Sequence, residues 1–119
     1  DDLDYVKFIC RDFWEAIFGK KVDKLQTNKR GTYVISDMEF KWIEKYTSSA
    51  GSGPAGTQEI DASTMTAVVK LLHFTCGVIR GALTNLGMPA TVTHEVGPGR
   101  LPGVVFNVRR QTATTDFKL

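Results

Sequence analysis

Between Val68 and Met88 the apolar residues Val68, Leu72, Cys76, Ile79, Leu83 and Leu86 fall at three-four spacing, the period of one helix face. A second row, Leu71, Phe74, Val78 and Ala82, runs beside the first. Only Lys70, His73, Arg80 and Thr84 hold a narrow polar stripe. A helix this apolar is covered on more than one side. The pattern predicts a spine helix from about Thr64 to Leu86, with Ser63 as N-cap, Gly87 as stop and Pro89 preventing its return. Gly77 and Gly81 sit one turn apart at the edge of the polar stripe. A mid-helix glycine costs about 1 kcal/mol relative to alanine, so the pair predicts a flat spot where another backbone comes close.

Leu3 to Phe18 is the second helix pattern. Its polar stripe is Asp4, Lys7, Arg11, Asp12 and Glu15, and Asp1, Asp2 and Asp4 suit the positive end of its dipole. The remaining arc carries Tyr5, Val6, Phe8, Ile9, Phe13, Trp14, Ile17 and Phe18, which is wider than one sheet face covers. Part of it packs on the domain's own core. The rest faces a partner, or a preceding segment, with Val6, Phe8, Ile9, Phe13 and Trp14 as the pool of anchors. Gly19 reads as the stop.

The next stretch, Lys20 to Arg30, is basic and turn-rich and reads as a solvated loop, with phosphate or anionic lipid as the alternative partner. Thr32 to Ser36 reads as a strand, and the alternation from Phe40 to Tyr46 adds a second, giving a hairpin. Residues 47–63 are low in complexity and predict a mobile loop. Gly51, Gly53 and Gly56 match the dinucleotide-binding spacing, but Pro54 lies inside it and no helix begins at the last glycine. Ala90 to Val96 and Val104 to Arg110 read as two more strands around a glycine-rich turn, and Gln111 to Leu119 reads as a fraying tail. The expected fold is α+β: one domain over 1–119, with helices on one side of a four-stranded antiparallel sheet.

Composition changes little in this picture. The apolar share is 42%, the charged share 24% and the net charge +2, which does not call for nucleic acid. No apolar run approaches the ~20 residues that span a bilayer. Cys10 and Cys76 lie inside apolar helical rows, which predicts two buried free thiols and a reducing, cytosolic setting. The acidic start without methionine predicts a chain whose earlier part is missing.

Chemistry is sparse. His73 has no second ligand at a metal spacing, and His94-Glu95 opens no zinc motif, so no metal is expected at either. Cys76 has Arg80 one turn away, but burial is the plainer reading of that thiol. There is no nucleophile elbow, P-loop or paired-carboxylate spacing. No catalytic, cofactor-binding or metal residue is assigned. An interaction module leads over an enzyme. A small-ligand or lipid-binding domain, with an apolar pocket between helix and sheet, is the alternative.

Cys76-Gly77-Val78-Ile79-Arg80-Gly81-Ala82-Leu83 resembles the CGxxRGAL signature of the small subunits of TRAPP, the transport protein particle that tethers vesicles. Leu3–Asp37, Leu71–Val96 and the final VVFNVRR strand carry the resemblance in order, closest to the sixth-type subunits. The family-motif residues are thus Cys76, Gly77, Arg80, Gly81, Ala82 and Leu83. The resemblance implies an α/β plait, a chain lacking the family's N-terminal helical segment, and a non-catalytic assembly subunit without cofactor. It implies heterodimerisation with the central, fatty-acylated TRAPP subunit, contact with other small subunits, and no nucleic acid. A Rab GTPase would be met only through the whole exchange-factor complex. The implied place is cytoplasmic and peripheral, at cis-Golgi and endoplasmic-reticulum membranes, in endoplasmic-reticulum-to-Golgi traffic. The acylated cysteine of the central subunit has no counterpart context at Cys10 or Cys76.

Overall fold

In the computed structural model, which describes residues 1–28, 30–47, 60–96 and 101–111, the row Val6, Cys10, Trp14 and Phe18 faces the core along one winding of helix. Asp2–Phe8 and Trp14–Phe18 are α-helical, and Ile9–Phe13 between them winds as a π-turn. Residues 2–18 together form α1. The row repeats every fourth residue, whereas an α-helix turns in 3.6, so it would drift off the core. The wider π-turn takes up the drift, and Val6, Ile9, Cys10, Trp14 and Phe18 are all buried. The Cys10 carbonyl accepts from the Val22 amide at 3.2 Å, which holds the returning chain against the turn. Asp1 and Asp4 form a reciprocal capping box at the start. Gly19, at φ 86°, closes the end in the left-handed conformation that glycine adopts freely.

Four strands follow the expected antiparallel plan: β1 (Lys24–Thr27), β2 (Thr32–Asp37), β3 (Ala90–Val96) and β4 (Val104–Arg110). Their order is β1-β2-β4-β3. In register, Leu25, Ile35, Phe106 and His94 stand abreast on one face, and Tyr33, Val108 and Val92 on the same face two residues along. That face meets the helices. Trp14, Phe40, Ile43, Val68, Leu72, Ile79 and Leu83 complete the core above it.

One strand differs from the sequence reading. Residues Lys41–Thr47 form a helix, α2, and the hairpin partner of β2 is β1, inside the stretch read as a loop. Period-two alternation placed Phe40 and Trp42 on one face and Ile43 on the other. The buried residues are instead Phe40, Ile43 and Thr47, a three-four spacing. Thr47 donates its hydroxyl to the Ile43 and Glu44 carbonyls. Strand β1 has four residues, of which only Leu25 is an apolar side chain packed on the core, too few to show alternation.

The spine helix, α3, runs from Ala62 to Leu86, 25 residues. Its N-cap is Asp61 rather than Ser63: the Asp61 carboxylate accepts from the Thr64 amide at 2.7 Å, and the Ser63 hydroxyl donates to it at 2.9 Å. Gly87, at φ 100°, ends it as expected. By length and composition alone α3 is long and apolar enough to span a bilayer, contrary to the sequence expectation. Here it is a core helix, with Val68, Leu72, Ile79 and Leu83 buried on the sheet. The fold class is α+β, with three helices on one antiparallel sheet. Of the expected loop, 48–59 lie outside the described residues, as do 97–100 of the later turn and 112–119 of the tail. The dinucleotide-like glycines also fall there.

Candidate partner-docking surface

The helical layer is held by a buried polar anchor. Asp37, at the end of β2, is fully buried. Its carboxylate accepts from Trp14 Nε1 at 2.8 Å, from Lys20 Nζ at 2.9 Å and from the Glu39 amide at 3.0 Å. Lys20 also bonds Asp23, whose carboxylate accepts from the Met38 amide at 2.7 Å. One carboxylate thus fixes α1, the chain reversal after it and the entry to α2. The Met38 amide, then Lys20, hold the Asp23 carboxyl below its ordinary 3.8. The folded chain therefore binds that proton less readily than the unfolded one. The stabilisation is present above 3.8 and is lost as pH falls through the lower folded value. A melting series from pH 6 to pH 3 should show the wild type falling more steeply than Asp23→Asn.

On this frame an aromatic row crosses the helical layer. Phe13 meets Phe18 edge-on at 6.4 Å, Phe18 meets Trp42 at 4.7 Å, and Trp42 stacks on Phe74 at 6.0 Å. The row begins in α1, passes through α2 and surfaces on α3. Phe74 remains 61% exposed, and Phe8 and Ile17 on α1 are 45% and 41% exposed. Phe74, Gly77 and Gly81 follow at three and four residues, so they form one exposed stripe of α3. A Cβ built on Gly77 or Gly81 would meet nothing within 4 Å. No backbone of the described residues crosses the flat spot. The close approach read from the sequence is not made within them.

Of the five proposed anchors, Val6, Ile9 and Trp14 are wholly buried in the chain's own core. Their side chains face inward on a row that the π-turn keeps in phase, so they do not lie on the exposed helical face. Phe8 is exposed and Phe13 half-buried. Ile17 and Phe74 are exposed as well, and Trp42 is half-buried; the sequence reading names none of the three as an anchor. Phe74 sat in an apolar row read as covered, and Trp42 was assigned to a strand. The family motif divides in the same way. Cys76 and Leu83 are buried and Ala82 is half-buried, while Gly77, Arg80 and Gly81 face outward.

Cys76, weighed as a nucleophile, is buried, as is Cys10. Burial pushes the Cys10 thiol up to about 12 and the Cys76 thiol to about 11, far from the thiolate that attacks. Both thiols are free, as the sequence predicted. Val68, Leu72, Ile79 and Leu83 of α3 are buried in one core cluster with Ile35, Phe106 and Val108 of the sheet. Among the described residues, open grooves include one of about 310 Å³ by Asp1, Leu3, Thr27 and Tyr33, and one of about 360 Å³ on the outer sheet face by Thr32, Thr93 and Asn107.

The described residues form an α+β domain with one antiparallel sheet, large apolar side chains exposed on its helical layer and both thiols buried. Residues 1–115 match the family described as transport protein particle (TRAPP) component. The chain is 40% identical to trafficking protein particle complex subunit 6b of Danio rerio over 93% of its own length. It is likewise 40% identical to subunit 6B of Homo sapiens over 93% of its length, and 41% identical to subunit 6A of Mus musculus over 91%. It covers 62%, 61% and 59% of those proteins in turn. The chain belongs to the TRAPP component family and is of the sixth-subunit type.

Proposed function

We propose that this chain is a non-catalytic assembly subunit of a TRAPP vesicle-tethering complex and that it works by docking its helical layer onto another small subunit. The observation that carries the reading is the exposed Phe74, at the end of the aromatic row and beside the outward half of the family signature. Gly77, Arg80 and Gly81 face outward, and the described fold packs nothing on the two glycines. A subunit contact gives these residues a use. The glycines leave room for a close helix, and Phe74, Trp42, Phe13 and Phe8 give it apolar cover.

The partner we infer is the central, fatty-acylated TRAPP subunit, with other small subunits meeting the pair. A Rab-type GTPase is engaged only through the whole complex, in endoplasmic-reticulum-to-Golgi traffic. Attachment at cis-Golgi and endoplasmic-reticulum membranes is peripheral and goes through the assembly. Mass spectrometry of what co-purifies with the tagged full-length protein tests the assignment. TRAPP small subunits at stoichiometric yield support it. A clean preparation without any of them contradicts it. The purified chain alone should leave nucleotide exchange on a Rab GTPase at its intrinsic rate.

A further inference from the structure

The fold brings together two histidines that the sequence keeps apart. His73 projects from α3 and His94 from β3, and their ring centroids lie 5.0 Å apart with planes at 83°. His94 is on the helix-facing side of β3, abreast of Phe106, and is half-buried, while His73 is exposed. We propose that His73 and His94 form a two-imidazole site for a divalent transition-metal ion of the zinc class, with water completing the coordination.

The separation carries the argument. An ion about 2.0–2.1 Å from each ring nitrogen, at a tetrahedral angle, sets the two centroids roughly 5 Å apart. Neutral imidazole is a preferred ligand for zinc, copper and nickel. The two rings come from different rigid elements, so an ion would tie the edge strand to the long helix. No third His, Cys, Asp or Glu joins the pair among the described residues. Water therefore supplies the rest, and the site binds more weakly than a closed structural one. Lys70 and Arg80 share the stripe of His73, but both are exposed and long enough to turn to solvent. Glu95 alternates to the opposite face of β3.

The test is isothermal titration of zinc or nickel into the full-length protein, alone and as His73→Phe, His94→Phe and His73→Cys. Phenylalanine keeps a ring in place and removes the ligand. We expect one saturable, chelator-reversible ion per chain. Each phenylalanine variant should bind at least about tenfold more weakly, since even outer-shell losses cost that much. His73→Cys should restore binding through its sulfur. Imidazole resonances of both histidines should shift together on titration. Equal binding by wild type and both phenylalanine variants would overturn the site, as would no heat and no imidazole shift at millimolar zinc. Circular dichroism confirms that each variant is folded, and His73, being exposed, tolerates the change.

Discussion

Asp37→Ala should lower stability by about 3–5 kcal/mol, the range for removing one partner from a buried charge network. For a domain near this size that is a fall of at least about 10 °C in melting temperature. The carboxylate is fully buried and takes three hydrogen bonds, from Trp14, Lys20 and the Glu39 amide. Alanine leaves the Trp14 N–H among Phe18, Phe40 and Phe106 without an acceptor, and an unmet buried donor costs about 1–3 kcal/mol by itself. Lys20 keeps Asp23 and so loses less. Asp37→Asn should fall between, since an amide oxygen still accepts while the ion pair is gone. Thermal melts of the three proteins check the order. An Asp37→Ala protein as stable as the wild type would show that the anchor does not hold the helical layer.

Phe74→Glu should leave the fold nearly intact and remove partner binding. The ring is mostly exposed and its described aromatic contact is the stack on Trp42, so the cost to the isolated chain is no more than about 1 kcal/mol. At an interface a buried aromatic anchor is worth 2 kcal/mol or more, about 30-fold in Kd, and a carboxylate there adds desolvation. Gly77 separates the two roles further. With open space around its Cβ position, Gly77→Ala should stabilise the isolated chain by up to about 1 kcal/mol through helix propensity. Gly77→Leu should fold equally well yet weaken the complex, because the larger side chain fills the approach. If Gly77→Leu binds as the wild type does, the flat spot is not where the partner sits.

The long helix was legible because 25 residues sustain one period, and a stop at Gly87 leaves little choice of end. Strands β3 and β4 were legible because each runs seven residues between turn signals. Strand β1 was not, since a four-residue edge strand with one apolar side chain packed on the core leaves no pattern. In residues 40–46, bulky residues at both even and odd positions fit period two and period 3.6 alike, and only the packing of Ile43 decides. The N-cap moved from Ser63 to Asp61 because both side chains suit the role and lie two residues apart.

The proposed docking surface was legible as a surplus of apolar side chains and not as an address. Counting bulky residues on α1 showed more than a sheet covers. The π-turn, which no periodicity announces, keeps the row with Val6, Ile9 and Trp14 in phase on the core, and Phe8 and Ile17 lie outside. The aromatic continuity from Phe13 to Phe74 depends on α2 lying across the layer, so it could not be found before that helix was assigned.

The claim that this chain works as a docked subunit is tested most directly by light scattering after size exclusion. The full-length protein is mixed with the central TRAPP subunit at micromolar concentration. The account predicts one species of heterodimer mass, reduced to separate monomers by Phe74→Glu in a folded protein. A stable monomer that ignores that subunit, or a Phe74→Glu protein that pairs as tightly as the wild type, would contradict it.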